Sequence, residues 1–389
     1  MDRNFDEIID RRHTNSVKYD LIDVLKKPAD TLPLWVADMD FKAPSAVSRR
    51  LEEIARFGIY GYSDNRTSYF DAVTDWYHTH FHWDAKPEWI VRTPGIIFAI
   101  AAAIRALTKE GDAILIQQPV YYPFGEIITQ NNRIKINSPL TLHDGCYSMN
   151  LFDFEQKIQK HHVKLFLLCS PHNPVGRVWT KEELTEVGRI CLKHGVIIIS
   201  DEIHSDFTYE GHPHTVFSSI SKEFAMQSIV CTSPSKTFNL AGLQVSNIFI
   251  ANPVIRKKFT DAVHATGYDE LNIFALGACE TVYRKGAEWL AALRTYLTGN
   301  LNYVRNFLAK ELPGISLIEP EGTYLLWLDC RSLPLTDEQR IKAMEEKGRL
   351  WLDTGTMFGE EGSGFERINI ACPRITLEEA MHRLKEALS

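Results

Sequence analysis

The sequence predicts an α/β protein with a large, mostly parallel sheet, followed by a smaller α+β domain. Three observations carry this reading. The chain has 389 residues, too many for one ordinary core. Its middle alternates short apolar runs, several rich in Val and Ile, with helical segments, the pattern of strand–helix–strand units. Its last hundred residues lose that alternation. The expected organisation is an N-terminal segment at 1–45 that packs with the small domain, a large α/β domain at 46–285 and a small α+β domain at 286–389.

The elements follow in order. Ile96 to Leu107 is apolar and Ala-rich, which reads as a buried helix. Ala113 to Gln117 is a short apolar strand, and Lys164 to Ser170 is another. Thr180 to His194 is a helix, opened by a capping box of Thr180 with Glu183 and stopped by Gly195. Gly195 to Ser200 is a continuous β-branched run, as expected of a strand buried on both faces. Ser228 to Thr232 is a further strand. Gly286 to Leu312 is a long helix joining the two domains. Short strands are expected near Thr323 to Asp329 and Arg367 to Ala371, and a last helix from Leu377.

Composition excludes some classes. The formal net charge of -7 argues against a nucleic-acid partner, which favours a basic surface. The longest apolar stretch, Ile96 to Ile104, is far shorter than the roughly 20 residues a bilayer requires. Met1 to Thr14 mixes acids and bases without an apolar core, so no signal peptide is expected. The seven cysteines are odd in number and scattered, with no C-x-x-C, which fits a reducing cytoplasm. His78, His80 and His82 alternate beside Trp76 and Trp83. No acid or cysteine pattern accompanies them, so they read as a polar face and no metal site is expected.

In parallel α/β sheets ligands bind beyond the carboxyl ends of the strands. Three strands here end in polar signatures: Pro171-His172-Asn173-Pro174-Val175-Gly176, Asp201-Glu202-Ile203-His204 and Ser233-Pro234-Ser235-Lys236-Thr237-Phe238. Upstream, Thr93-Pro94-Gly95-Ile96-Ile97 opens the Ala-rich helix. Singly, Asn173 is a turn residue, Asp201 a helix cap, Lys236 a solvated loop lysine and Gly95 a helix start. Together, at strand ends of one domain, they match what pyridoxal 5'-phosphate (PLP) needs. A carboxylate such as Asp201 keeps the pyridine nitrogen protonated, and Lys236 serves the aldehyde. The N–H groups of Gly95, Ile96 and Ile97 at a helix N-terminus serve the phosphate, with the Ser233 and Ser235 hydroxyls. Asn173 serves the ring hydroxyl, and Tyr121 covers the ring face.

The stretches LWVADMDFKAP, YGYSD, LLCSPHNPVGRVWT, ISDEIHSDF, SKTFNLAG, GTYLLWLD and RINIACPR resemble fold-type I PLP enzymes of the aminotransferase class I/II superfamily. Within it the chain is most similar to the PatB/MalY group of C–S β-lyases, which includes cystathionine β-lyases. The resemblance implies that Lys236 is the Schiff-base lysine and the base at Cα, with Asp201 on the pyridine nitrogen and Asn173 on the ring hydroxyl. His204 stands where many aminotransferases carry a tyrosine that also bonds that hydroxyl. Tyr121 stacks on the ring. Gly95, Ile96, Ile97, Ser233 and Ser235 hold the phosphate, and Tyr62 reaches the phosphate of a neighbouring subunit, which implies a homodimer with shared active sites. Arg367 grips the substrate carboxylate, with Arg374 a nearby rival.

Two features depart from the wider superfamily. Gln244 stands where many aminotransferases place a phosphate-binding arginine, and no arginine for a dicarboxylic side chain is identifiable. The activity implied is β-elimination from L-cystathionine or a related thioether. Transamination shares its early steps, and a PLP-holding regulator is the reading outside enzymes. Gly359 to Gly364 is expected to be a flexible acidic loop before Arg367, either a turn or a mobile rim over the substrate.

Overall fold

The computed structural model describes residues 4–64 and 66–388. Met1 to Arg3, part of the N-terminal stretch read above, lie outside the described residues. Seven strands form the large sheet: β1 (Ile90–Thr93), β2 (Ala113–Ile116), β3 (Ile134–Asn137), β4 (Leu165–Cys169), β5 (Ile197–Asp201), β6 (Ser228–Thr232) and β7 (Ser246–Phe249). Their spatial order is β1-β7-β6-β5-β4-β2-β3. β7 pairs antiparallel with both neighbours, and the other pairings are parallel. Every residue of β2, β4 and β6 is buried, which is why these strands read as unbroken apolar runs rather than alternating ones.

The helices obey the local signals. α1 (Ile96–Leu107) begins at Gly95 and is buried along most of its length. α2 (Lys181–His194) has both halves of the Thr180–Glu183 capping box and ends at Gly195, whose φ of 67° is left-handed. α3 (Pro234–Thr237) is a single turn. Lys236 therefore lies on a short helical turn and not on the loop expected above.

A second sheet carries the rest of the chain. β8 (Ser316–Ile318), β9 (Leu325–Asp329), β10 (Asp353–Thr354) and β11 (Phe365–Asn369) lie in the order β8-β9-β11-β10, all antiparallel. α4 (Ala287–Glu311) and α5 (Arg374–Leu388) accompany it. The N-terminal segment joins this unit: Leu32 and Pro33 pair in parallel with Leu350 and Trp351, and Trp35 stacks on Trp351 at 4.5 Å.

Two seams hold the sheets together. Glu321 N–H and Gly322 N–H both donate to the Gly176 carbonyl, at 2.8 and 2.9 Å, and Arg177 Nε meets Glu321 at 2.7 Å. Glycine is required at 322, because a Cβ there would lie 2.7 Å from Val178 and 2.8 Å from the Phe207 carbonyl. The segment Trp35 to Phe41 makes the second seam. Asn369 Nδ2 donates to the Val36 and Asp38 carbonyls, both at 2.6 Å. From the other side, Asn239 Nδ2 donates to the Met39 and Phe41 carbonyls at 2.9 Å. No helix among the described residues is long and apolar enough to cross a membrane.

Candidate active site

Strand register brings the three signatures together. Cys169 lies beside Asp201, and Asp201 beside Cys231, so β4, β5 and β6 end in one row. Beyond that row lies a cavity of about 180 Å³. Ten of the predicted residues line it: Gly95, Ile96, Ile97, Tyr121, Asn173, Asp201, His204, Ser233, Ser235 and Lys236. Gln244 and Ala37 line it too.

Each side chain is set by local structure. Asp201 ends β5 and accepts the Ile203 N–H at 3.1 Å. Burial pushes its carboxyl up to about 7, partly opposed by that bond and by Lys236. Lys236 Nζ donates to the Ala37 carbonyl at 2.6 Å. Burial pulls its ammonium down to about 8, against the attraction of Asp38. Its amine is therefore substantially neutral in mildly alkaline solution. His204 is buried and held neutral, its pKa lowered to about 3 by burial and then by Lys236 and Arg367. Its Nδ1 has no hydrogen-bond partner. Burial likewise raises the Tyr121 phenol, whose backbone N–H is fixed to the Asn173 carbonyl at 3.0 Å.

Arg367 does not line the cavity but joins it. Its Nη1 donates to Asn173 Oδ1 at 3.0 Å and its Nη2 to the Trp35 carbonyl at 2.8 Å. Asn173 thus commits its side-chain Oδ1 to Arg367, and its Nδ2 remains as the side-chain donor at the cavity. Arg374 is turned elsewhere, with Nε on Asn300, so the rival reading is set aside. Ser233 caps α3: its oxygen accepts the Ser235 N–H at 3.0 Å, and it lies 2.6 Å from the Val245 carbonyl. Its hydroxyl is therefore committed within the protein, and Ser235 is the freer of the two.

Tyr62 stands apart. It is fully solvent-exposed and does not line the cavity. Of the two readings of the 359–364 segment the structure has the turn, and it is pinned rather than loose. Asn137 Nδ2 donates to Glu361 at 2.7 Å, Ser363 Oγ to Asp337 at 2.6 Å, and Gly364 N–H to Asp337 at 2.9 Å. The histidines at 78, 80 and 82 do not converge. His78 pairs with Asp84 and His80 packs on Trp76. No group of three or more metal-ligating side chains occurs among the described residues.

Four contributors escaped the sequence reading: the Ala37 and Trp35 carbonyls, Tyr324 and Asp353. Tyr324 Oη donates to the Ala37 carbonyl at 3.0 Å. Asp353 is paired with Arg367 across β10 and β11. The stretches LWVADMDF and GTYLLWLD marked the first three as part of the family resemblance without assigning them work. Nothing in the sequence marked Asp353.

The residues fit PLP on structural grounds. The Nδ1 of His204 is a buried orphan at the cavity wall. A Cβ added at Gly95 would meet open space, and the first N–H groups of α1 have no partner within the helix. A seven-stranded, mostly parallel sheet with this lysine–carboxylate–helix-start arrangement defines the fold-type I class of PLP enzymes. Residues 30–384 match the family model for aminotransferase class I and II, and the chain belongs to that family. It is 43% identical over 386 residues to the cystathionine β-lyase PatB of Bacillus subtilis strain 168, covering 99% of this chain and 100% of that one. The PLP-containing crystal structure of cystalysin from Treponema denticola superposes with a TM-score of 0.97 at 37% identity, covering 100% of this chain and 99% of that one. A PLP-bound C–S lyase from Staphylococcus hominis gives 0.92 at 32%, covering 99% and 98%.

Proposed function

We propose that this protein is a PLP-dependent carbon–sulfur β-lyase. It splits L-cystathionine or a related cysteine thioether into a thiol, pyruvate and ammonia, with uptake of water. The observation that carries this reading is Lys236: its amine faces the same cavity as Asp201 and Asn173, and Asn173 in turn accepts from Arg367. The full-length similarity to PatB supports the choice of elimination and of cystathionine.

Bound PLP supplies an electron sink that stabilises negative charge at the substrate α-carbon. Lys236 would hold its aldehyde, Asp201 its ring nitrogen, Asn173 and His204 its ring hydroxyl, and Tyr121 its face. Gly95, Ile96, Ile97 and Ser235 would hold its phosphate, with Ser233 shaping the turn. The protein's own work is positional and protonic. Arg367 donates N–H groups to the α-carboxylate, where its planar fork suits two oxygens. That grip aims the Cα–H bond at Lys236. With its pKa lowered to about 8, the lysine amine is free to accept the Cα proton in mildly alkaline solution. The thiolate then leaves from Cβ. The Asp201 carboxyl, raised to about 7 when alone, would be held ionised by a cationic partner.

The active form we propose is a homodimer working in the cytoplasm. Phe57, Ile59, Tyr60 and Tyr62 form an exposed apolar run, suited to packing against a second copy, with Tyr62 reaching that copy's phosphate cradle. The seven cysteines are unpaired, as a reducing compartment favours. The test is to mix purified holoenzyme with L-cystathionine, without keto acid, and follow pyruvate and free thiol. Equimolar release over many turnovers is expected. A burst of one equivalent would make the protein an aminotransferase.

A further inference from the structure

A guanidinium carries five N–H donors in a rigid fork. In Arg367 that fork is already largely engaged. Nη1 bonds Asn173 at 3.0 Å, and Nη2 bonds the Trp35 carbonyl at 2.8 Å and the Asp353 carboxylate. Nε is buried without a partner. The Phe358 ring lies 4.8 Å from the guanidinium carbon. Asp353 is 2% exposed, and antiparallel register places it directly opposite Arg367. Its carboxylate has this arginine for its cation, because neighbouring Glu366 on the paired strand is held by Arg340 at 2.8 Å. Tyr121 and Tyr122 are the other titratable groups near it.

We propose that Asp353 is a built-in competitor for the substrate carboxylate and so sets how tightly Arg367 takes an amino acid. This rests on the reading of Arg367 as the carboxylate site. An arriving carboxylate finds Nε and the second Nη1 hydrogen free, and must share one guanidinium with a buried like charge. Arg367 does not depend on Asp353 for its place, since Asn173, the Trp35 carbonyl and Phe358 still hold it. The work left for Asp353 is to weaken the grip on any carboxylate. Pyruvate carries the same carboxylate as the substrate, so a looser grip lets product leave; tight uniform binding would not raise turnover.

The probe is propionate, which has the carboxylate but no amine to condense with an aldehyde. Its dissociation constant is measured by calorimetry on the holoenzyme. Asp353→Asn is expected to bind propionate about tenfold more tightly than the wild type, and Asp353→Glu, which keeps the charge, no more tightly. Asp353→Ser serves where the Asn variant does not fold, with the same expectation. A folded Asn or Ser variant that binds equally or more weakly overturns the proposal, as does a Glu variant that gains as much as Asn. Arg367→Met separates the two readings. If it leaves propionate affinity unchanged, the carboxylate-site reading itself fails. If it abolishes binding while Asp353→Asn changes nothing, only the competitor role fails.

Discussion

The two walls of the site are built in different ways. The wall we assign to the cofactor is built on the seven-stranded sheet. Asp201, Asn173, Ser235 and Lys236 each follow the end of a buried parallel strand, and Gly95 to Ile97 open one helix. Sequence neighbours and strand register together fix them. The wall we assign to the substrate is assembled from distant parts: Arg367 on β11, Asp353 on β10 and the carbonyls of Trp35 and Ala37 on the N-terminal segment. Arg367 and Trp35 are 332 residues apart in the chain. A wall made of side chains at strand ends is rigid and chemically explicit. One that joins side chains of the second sheet to carbonyls of the N-terminal segment depends on how those parts pack together.

Substitutions on each wall should therefore fail differently. On the cofactor wall, Asp201→Asn should lower kcat about 10²–10³-fold, the usual loss when a preorganised electrostatic partner is removed, as steady-state assays would show. The same variant should be more stable than the wild type when cofactor-free. Asp201 is raised from 3.8 to about 7 in the folded protein, so the folded state holds a proton that the unfolded chain has already lost. Stability without cofactor thus falls as pH rises from about 4 through about 7. Denaturation of the cofactor-free forms at pH 8 should favour the Asn variant by on the order of 2–4 kcal/mol, and the gap should close toward pH 4. A gap independent of pH would mean that Asp201 is not strained by burial.

On the substrate wall, Arg367→Met should lower kcat/KM about 10–100-fold, the worth of charge-assisted bonds to a carboxylate. Equal losses for substrates with and without an α-carboxylate would break the distinction between the walls. At the seam, Gly322→Ala should destabilise the fold by about 1–3 kcal/mol, because its Cβ would press on Val178 and the Phe207 carbonyl. Chemical denaturation checks this, and an unchanged midpoint would show that the seam relaxes freely.

The same contrast explains what the sequence made legible. Lys236, Asp201 and Asn173 stand in short motifs right after apolar runs, and both halves of the Thr180–Glu183 box formed where the spacing put them. Ten predicted residues meet in one cavity for that reason. Backbone carbonyls have no sequence signature, so Ala37 and Trp35 could not be found as partners of Lys236 and Arg367. Asp353 is a lone acid in a two-residue strand, and only the register with β11 gives it meaning. The 359–364 segment, rich in glycine and acid, read as flexible. Its order comes from Asn137 and Asp337, which lie far away in sequence. Tyr62 belongs to neither wall within one chain.

The central claim is that the Lys236 amine moves the α-proton. It is tested most directly by following hydrogen–deuterium exchange at Cα of L-alanine, which lacks a leaving group, with holoenzyme in D2O by NMR. The wild type should exchange the α-proton readily, and Lys236→Ala should be slower by about 10²–10⁴-fold while keeping its fold. Exchange by Lys236→Ala at the wild-type rate would contradict the account, because another group would then have to be the base.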